Sequence, residues 1–209
     1  MKQNRENPFF ETYRTPFGTP PFDQIETEQY EPAFDEGIRQ LDEEVRAIAD
    51  NTELPTFENT IIALERSGKL LDKVISAFFN VLNAEADDEM MDISQRVSPK
   101  LSESSNNIYL NEQLFARVKS VYDRKDELHL PMEDARLLEK TFEAFCARGA
   151  ALGPEEKEKY RKLSSELSLL SLTFDQNALK DKNRRTVANK RRRTGRTTGK
   201  HTRSCRTQG

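Results

Sequence analysis

Tryptophan is absent from this chain of 209 residues, and histidine and cysteine each occur only twice. That leaves little from which to build a metal centre, which needs several imidazole, thiolate or carboxylate groups converging on one point. Cys146 and Cys205 form no disulfide framework, so a reducing compartment, the cytoplasm, is the expectation. No segment approaches the roughly 20 consecutive apolar residues of a membrane helix. The N-terminus, Met1 to Pro8, lacks the apolar stretch of a secretory signal. Neither a Gly-rich phosphate loop nor a Gly-x-Ser-x-Gly elbow occurs, which removes two common routes to nucleotide binding and acyl transfer.

Acid is also missing from the last stretch. Residues 184–209 hold ten Lys/Arg, no Asp or Glu, and only Val187, Ala188 and Cys205 from the apolar set. All 36 acids and the other 23 Lys/Arg lie before them, an excess of 13 negative charges over residues 1–183. The acidic piece is long enough to bury a core. The basic piece has almost nothing to bury, and its composition is that of a disordered segment.

Within the acidic piece the pattern is helical. Residues 8–22 are too rich in proline for a regular helix, yet Phe9, Phe10, Tyr13, Phe17 and Phe22 argue against a free tail. An extended arm over 1–25, pinning its rings on the helices of 26–183, is expected. Phe34, Ile38, Leu41, Val45 and Ile48 are spaced 4, 3, 4, 3, one stripe of a helix opened by Pro32. Thr56 suits an N-cap for a stripe of Phe57, Ile61, Leu64, Leu71, Phe78 and Leu82. Gly68 either lets another helix approach or breaks this one in two. A third helix starts near Asp87 and carries Met90, Ile93, Val97, Leu101 and Ile108, with Pro99 expected to kink or restart it. Asn111 caps a fourth. Pro131 opens a fifth, with Gly149 beyond its end, and Pro154 opens a sixth. The sixth stripe, Tyr160, Leu163, Leu167, Leu170 and Phe174, is spaced 3, 4, 3, 4. No segment alternates like a strand, so the class is all-α with short loops between antiparallel neighbours.

The polar candidates are few. Cys146 falls in an apolar helix pattern and reads as a small core residue. His129 and Glu133 are four apart, but Pro131 between them keeps them off one helical face, so His129 reads as a loop histidine. His201 has no neighbouring ligand. The many acids fall on polar helix faces, where solvation explains them. No catalytic, cofactor-binding or metal-ligating residue is assigned.

Four stretches resemble the N-terminal region of the zinc oligopeptidase family of thimet oligopeptidase, oligopeptidase A and bacterial peptidyl-dipeptidase. They are Thr15 to Asp23 with Tyr30 to Phe34; Pro55 to Thr60 with Ala63 to Gly68; Ser98 to Leu101; and Leu163 to Asn177. Their order and spacing are similar to those of the peptidyl-dipeptidase branch, over about residues 7–183. The resemblance implies a helical lobe of a metallopeptidase that degrades short peptides, walling a channel over a zinc held by a His-Glu-x-x-His helix and a later Glu. No His-Glu-x-x-His occurs in these 209 residues, so no catalytic residue carries over. The implied reading is a truncated fragment, inactive alone, whose natural packing partner is the missing catalytic domain, with zinc only in the intact enzyme.

Two readings of residues 184–209 remain. The leading one is a reading-frame shift near codon 184 that leaves a meaningless tail. The alternative is a genuine basic arm on a non-enzymatic helical interaction domain, binding nucleic acid or acidic partners through Lys190 to Arg193. Without aromatics it would bind without sequence preference, and even a meaningless tail would bind nucleic acid at low salt.

Overall fold

The computed structural model of this protein describes residues 7–85 and 87–194. The chain divides into two units, Met1–Leu169 and Leu170–Gly209. Helices account for the regular structure, and there is no strand among the described residues.

Helix α1 (Tyr30–Ala49) follows the expected stripe and turns Ala33, Phe34, Val45 and Ile48 inward. Gly37 permits its closest approach to a neighbour: a Cβ there would stand 3.0 Å from the Leu71 Cα. After α1 the chain turns at Asn51 and restarts at Thr56, whose hydroxyl accepts from the Asn59 N–H while Asn59 Oδ1 accepts from the Thr56 N–H. This reciprocal cap opens a wide π-helical segment, Phe57–Ile62, running into a short α2 (Ala63–Glu65). The sequence suggested only ordinary helix here.

Gly68 breaks the helix and also marks a close approach. Its φ of +75° lies in the left-handed region, and a Cβ would stand 3.2 Å from the Leu41 Cδ1. Helix α3 (Lys69–Glu85) starts directly after it. The Gly68 N–H, one of the donors a helix start leaves without an intrahelical partner, is taken by the Glu44 carboxylate at 2.7 Å.

Helix α4 (Asp88–Tyr109), capped by the Asp87 carboxylate on the Met90 N–H, carries Pro99 in its interior and does not restart there. An interior proline costs about 3 kcal/mol. Met90, Ile93 and Val97 bury fully just before it, each contributing about 1.5–3 kcal/mol, which holds the helix together. Asn111 caps α5 (Glu112–Tyr122) through the Leu114 N–H, and α6 (Met132–Ala147) follows Pro131. The end of α6 is closed by Ala150 N–H on the Phe145 carbonyl and Gly149 N–H on that of Cys146, a Schellman pairing.

The first unit has two adjoining cores that share Leu41 on α1. One gathers Phe9, Tyr30, Phe34 and Phe78 with Val74, Ile93 and Val97. Its rings meet edge-on: Phe34 and Phe78 have centroids 5.2 Å apart and planes at 86°. The other gathers Val45, Ile48, Ile61, Leu114, Val118, Leu138 and Phe145. Among the described aromatic rings of the arm, only Phe9 is fully buried. Phe10, Phe17 and Phe22 remain half to fully exposed. Lys73 of α3 fixes the arm by donating to the carbonyls of Phe9 and Glu11, and its Nζ lies 3.7 Å from the centre of the Tyr13 ring.

Helix α7 (Pro154–Thr194) begins in the first unit and forms the described part of the second. Residues 184–194 continue its helical backbone. Lengthening an existing helix needs no new nucleus, and Arg and Lys have good helix propensity. Residues 195–209, with His201 and Cys205, lie outside the described residues.

Candidate functional site

His129 and Glu133 are not brought together as ligands. His129 is exposed in the turn between α5 and α6 with φ +45°, and Glu133 is exposed in the first turn of α6 beyond Pro131. Among the described residues no three His, Cys, Asp or Glu side chains gather where a metal could be held. Cys146 corrects an expectation: it is exposed, not core. Phe145 occupies the inward position of α6, and the next residue is rotated about 100° away from it.

Charged groups are engaged with one another. Arg96 of α4 holds both oxygens of Glu31 on α1, and Lys100 reaches Asp35. Hydrogen bonding from Arg96 holds the Glu31 carboxyl below the usual carboxylate range. On the solvent side of α1, Arg39, then Gln40, hold Glu36 down at about 2. Burial, then the nearby Tyr30, push the Tyr13 phenol up to about 12. Arg117 of α5 is the cation that the sequence did not flag. It is buried, and it donates to the carbonyls of Asn51 and Glu53, to Asn59 Oδ1 and to Thr60 Oγ1. It thereby fastens the loop between α1 and the π-helical segment. None of these groupings sets a nucleophile against a base.

The surface of α7 in the first unit is the unusual one. Its polar side faces the body. Lys157, only 9% exposed, donates to Glu112 at 3.0 Å. Arg161 donates to Asn107 at 2.8 Å, and the hydroxyls of Ser164 and Ser102 lie 3.4 Å apart. The leucines face out: Leu163 is 65% exposed and Leu167 64%. Beside them runs an open groove of about 430 Å³ lined by Phe79, Leu101, Leu167 and the serines Ser98, Ser164 and Ser168. In the second unit Leu170 and Phe174 are exposed as well. The groove is lined by no charged side chain, and an open apolar surface of this kind suits binding polypeptide rather than chemistry.

No family model matches the chain. Among curated proteins, it is 43% identical over 173 residues to the dipeptidyl carboxypeptidase of Escherichia coli (strain K12), a stretch covering 83% of this chain and 25% of that protein. It is 27% identical over 160 residues to the thimet-like oligopeptidase of Dictyostelium discoideum, covering 75% of this chain and 23% of that protein. With the oligopeptidase A of Escherichia coli (strain K12) it shares 23% identity over 165 residues, 79% of this chain and 24% of that protein. The chain thus spans about a quarter of the length of these relatives.

Proposed function

We infer, from a chain that belongs to the zinc oligopeptidase family of dipeptidyl carboxypeptidase, oligopeptidase A and thimet oligopeptidase, that it is the helical lobe of a peptidase acting on short peptides. The observation that carries this reading is 43% identity across 83% of the chain, joined to coverage of only 25% of the relative. A stretch of 173 residues matches, and most of the relative's length has no counterpart in it. The higher identity to the dipeptidyl carboxypeptidases, 43% and 39%, favours release of dipeptides from peptide C-termini as the activity of the intact enzyme.

The residues present do not fit the zinc that the family implies. No His-Glu-x-x-His occurs in the sequence, His129 stands alone in an exposed turn, and no three ligating side chains converge among the described residues. No hydrolytic step is therefore assigned to this chain. Its part is to shape the enzyme that surrounds the peptide.

The test is a peptide-cleavage assay with zinc present. The purified full chain alone is expected to show no turnover, and zinc-dependent turnover surviving rigorous purification would overturn that. Mixed with the three-quarters of the E. coli dipeptidyl carboxypeptidase that it does not match, the chain is expected to restore dipeptide release. A stoichiometric complex without turnover counts against the peptidase reading.

A further inference from the structure

We propose that the outward leucine row of α7 in the first unit, Leu163 and Leu167, with the adjoining groove floored by Phe79 and Leu101, is the seat of an amphipathic helix from the part of the family sequence that this chain does not span. The proposal rests on the peptidase reading above and assigns to it a particular surface.

Three observations lead to it. First, α7 is mounted with its polar side inward. The body holds it through Lys157, Arg161 and Ser164, so its leucines stay in water although the same helix could have buried them by turning. Second, the groove is lined by Phe, Leu and Ser side chains and by no charged group. Serines are small enough to let another backbone come close, and Phe79, Leu101 and Leu167 offer the apolar contacts that a helix lying in a groove takes up. A charged occupant would lose hydration there without finding a counter-ion. Third, the relatives are about four times as long as the matched stretch. Three-quarters of their length must pack against something, and this surface is apolar, open and on the matched lobe.

The spacing of the row gives the geometry. Tyr160, Leu163 and Leu167 stand 3 and 4 apart, the interval at which one helix inserts side chains between those of another crossing it at a shallow angle. The occupant is thus a helix with its own apolar row at the same interval. A second copy of the chain is the competing occupant, and the test separates the two.

The full chain is mixed with the unmatched three-quarters of the E. coli dipeptidyl carboxypeptidase. Binding is read by co-elution and by isothermal titration, and the surface by hydrogen exchange over residues 160–169. A one-to-one complex and slowed exchange over these residues are expected. The double variant Leu163→Glu/Leu167→Glu should weaken the complex at least tenfold with its thermal melt unmoved, while Glu166→Lys on the exposed neighbouring position should leave it unchanged. No complex with the wild-type chain, undiminished binding by the double variant, or a homodimer through this row that the added fragment does not displace would each overturn the proposal. If the complex forms through the leucine row but cleaves no peptide, the seat stands and the peptidase reading falls. If cleavage is restored and the double variant cleaves equally well, the reading stands and the seat falls.

Discussion

Helices α1 and α7 carry the same sequence signal and meet opposite fates. Phe34, Ile38, Leu41, Val45 and Ile48 on α1 are spaced 4, 3, 4, 3 and enter the two cores, Phe34 without any exposure. Leu163 and Leu167 of α7, in a stripe spaced 3, 4, 3, 4, are about two-thirds exposed. Periodicity therefore shows that a helix has an apolar face, and says nothing about whether the chain supplies a cover for it. What decides is the neighbours. Helices α3 and α4 pack against α1, whereas α7 in the first unit is held by the ion pair and hydrogen bonds on its other side.

The sharpest way to break this comparison is to truncate one residue from each stripe. Phe34→Ala is expected to cost about 3–5 kcal/mol, the usual range for a fully buried aromatic, and Leu167→Ala about 0.5 kcal/mol or less. Urea midpoints of the two variants measure both. Equal costs would mean that α7 is covered in solution and that the contrast is false.

A smaller effect tests how α1 receives its neighbours. Gly68→Ala combines a left-handed φ with a Cβ 3.2 Å from Leu41. It should destabilise by about 1–3 kcal/mol, and Gly68→Asn by less, because asparagine tolerates that region better. A neutral alanine variant would show that α3 can begin without the left-handed turn.

The smallest effect concerns the charged seam between α1 and α4. Glu31 is held below the ordinary carboxylate value by Arg96. Its stabilising contribution is therefore complete above about pH 4.3, the unfolded value, and drains away as pH falls through the lower folded value. Glu31→Gln should flatten that acid limb of the stability curve and leave neutral pH little changed, since partly exposed pairs contribute little. Chemical denaturation at stepped pH measures it, and an unaltered acid limb would remove the ion pair from the account.

Much of the architecture was legible because it depends on local chemistry. The caps at Thr56, Asp87 and Asn111 and the closing turn at Gly149 are set within a few residues. What was not legible depends on distant partners. Pro99 stays inside α4 because Met90, Ile93 and Val97 are packed on other helices, which no local rule registers. Cys146 lies one residue past the inward Phe145, a distinction finer than an apolar run conveys. Lys157 and Arg117 are buried cations whose acceptors lie 45 and more than 50 residues away. The leucine row was visible as a pattern, but its exposure was not. At the level of the whole chain, the quoted motifs carried the family, because several of them agreed in order along the lobe.

Lys73 shows what kind of contact ties the arm down. It grips two backbone carbonyls, those of Phe9 and Glu11, and lies over the ring of Tyr13. A carbonyl is the same whatever side chain its residue bears. The clasp therefore fixes where the arm runs without prescribing its spelling at Phe10 and Glu11, whose side chains are exposed. Among the arm's rings the burden of specificity rests on Phe9 and Tyr13, and the stretch between them is free to vary, provided no substitution bends the backbone away from the lysine.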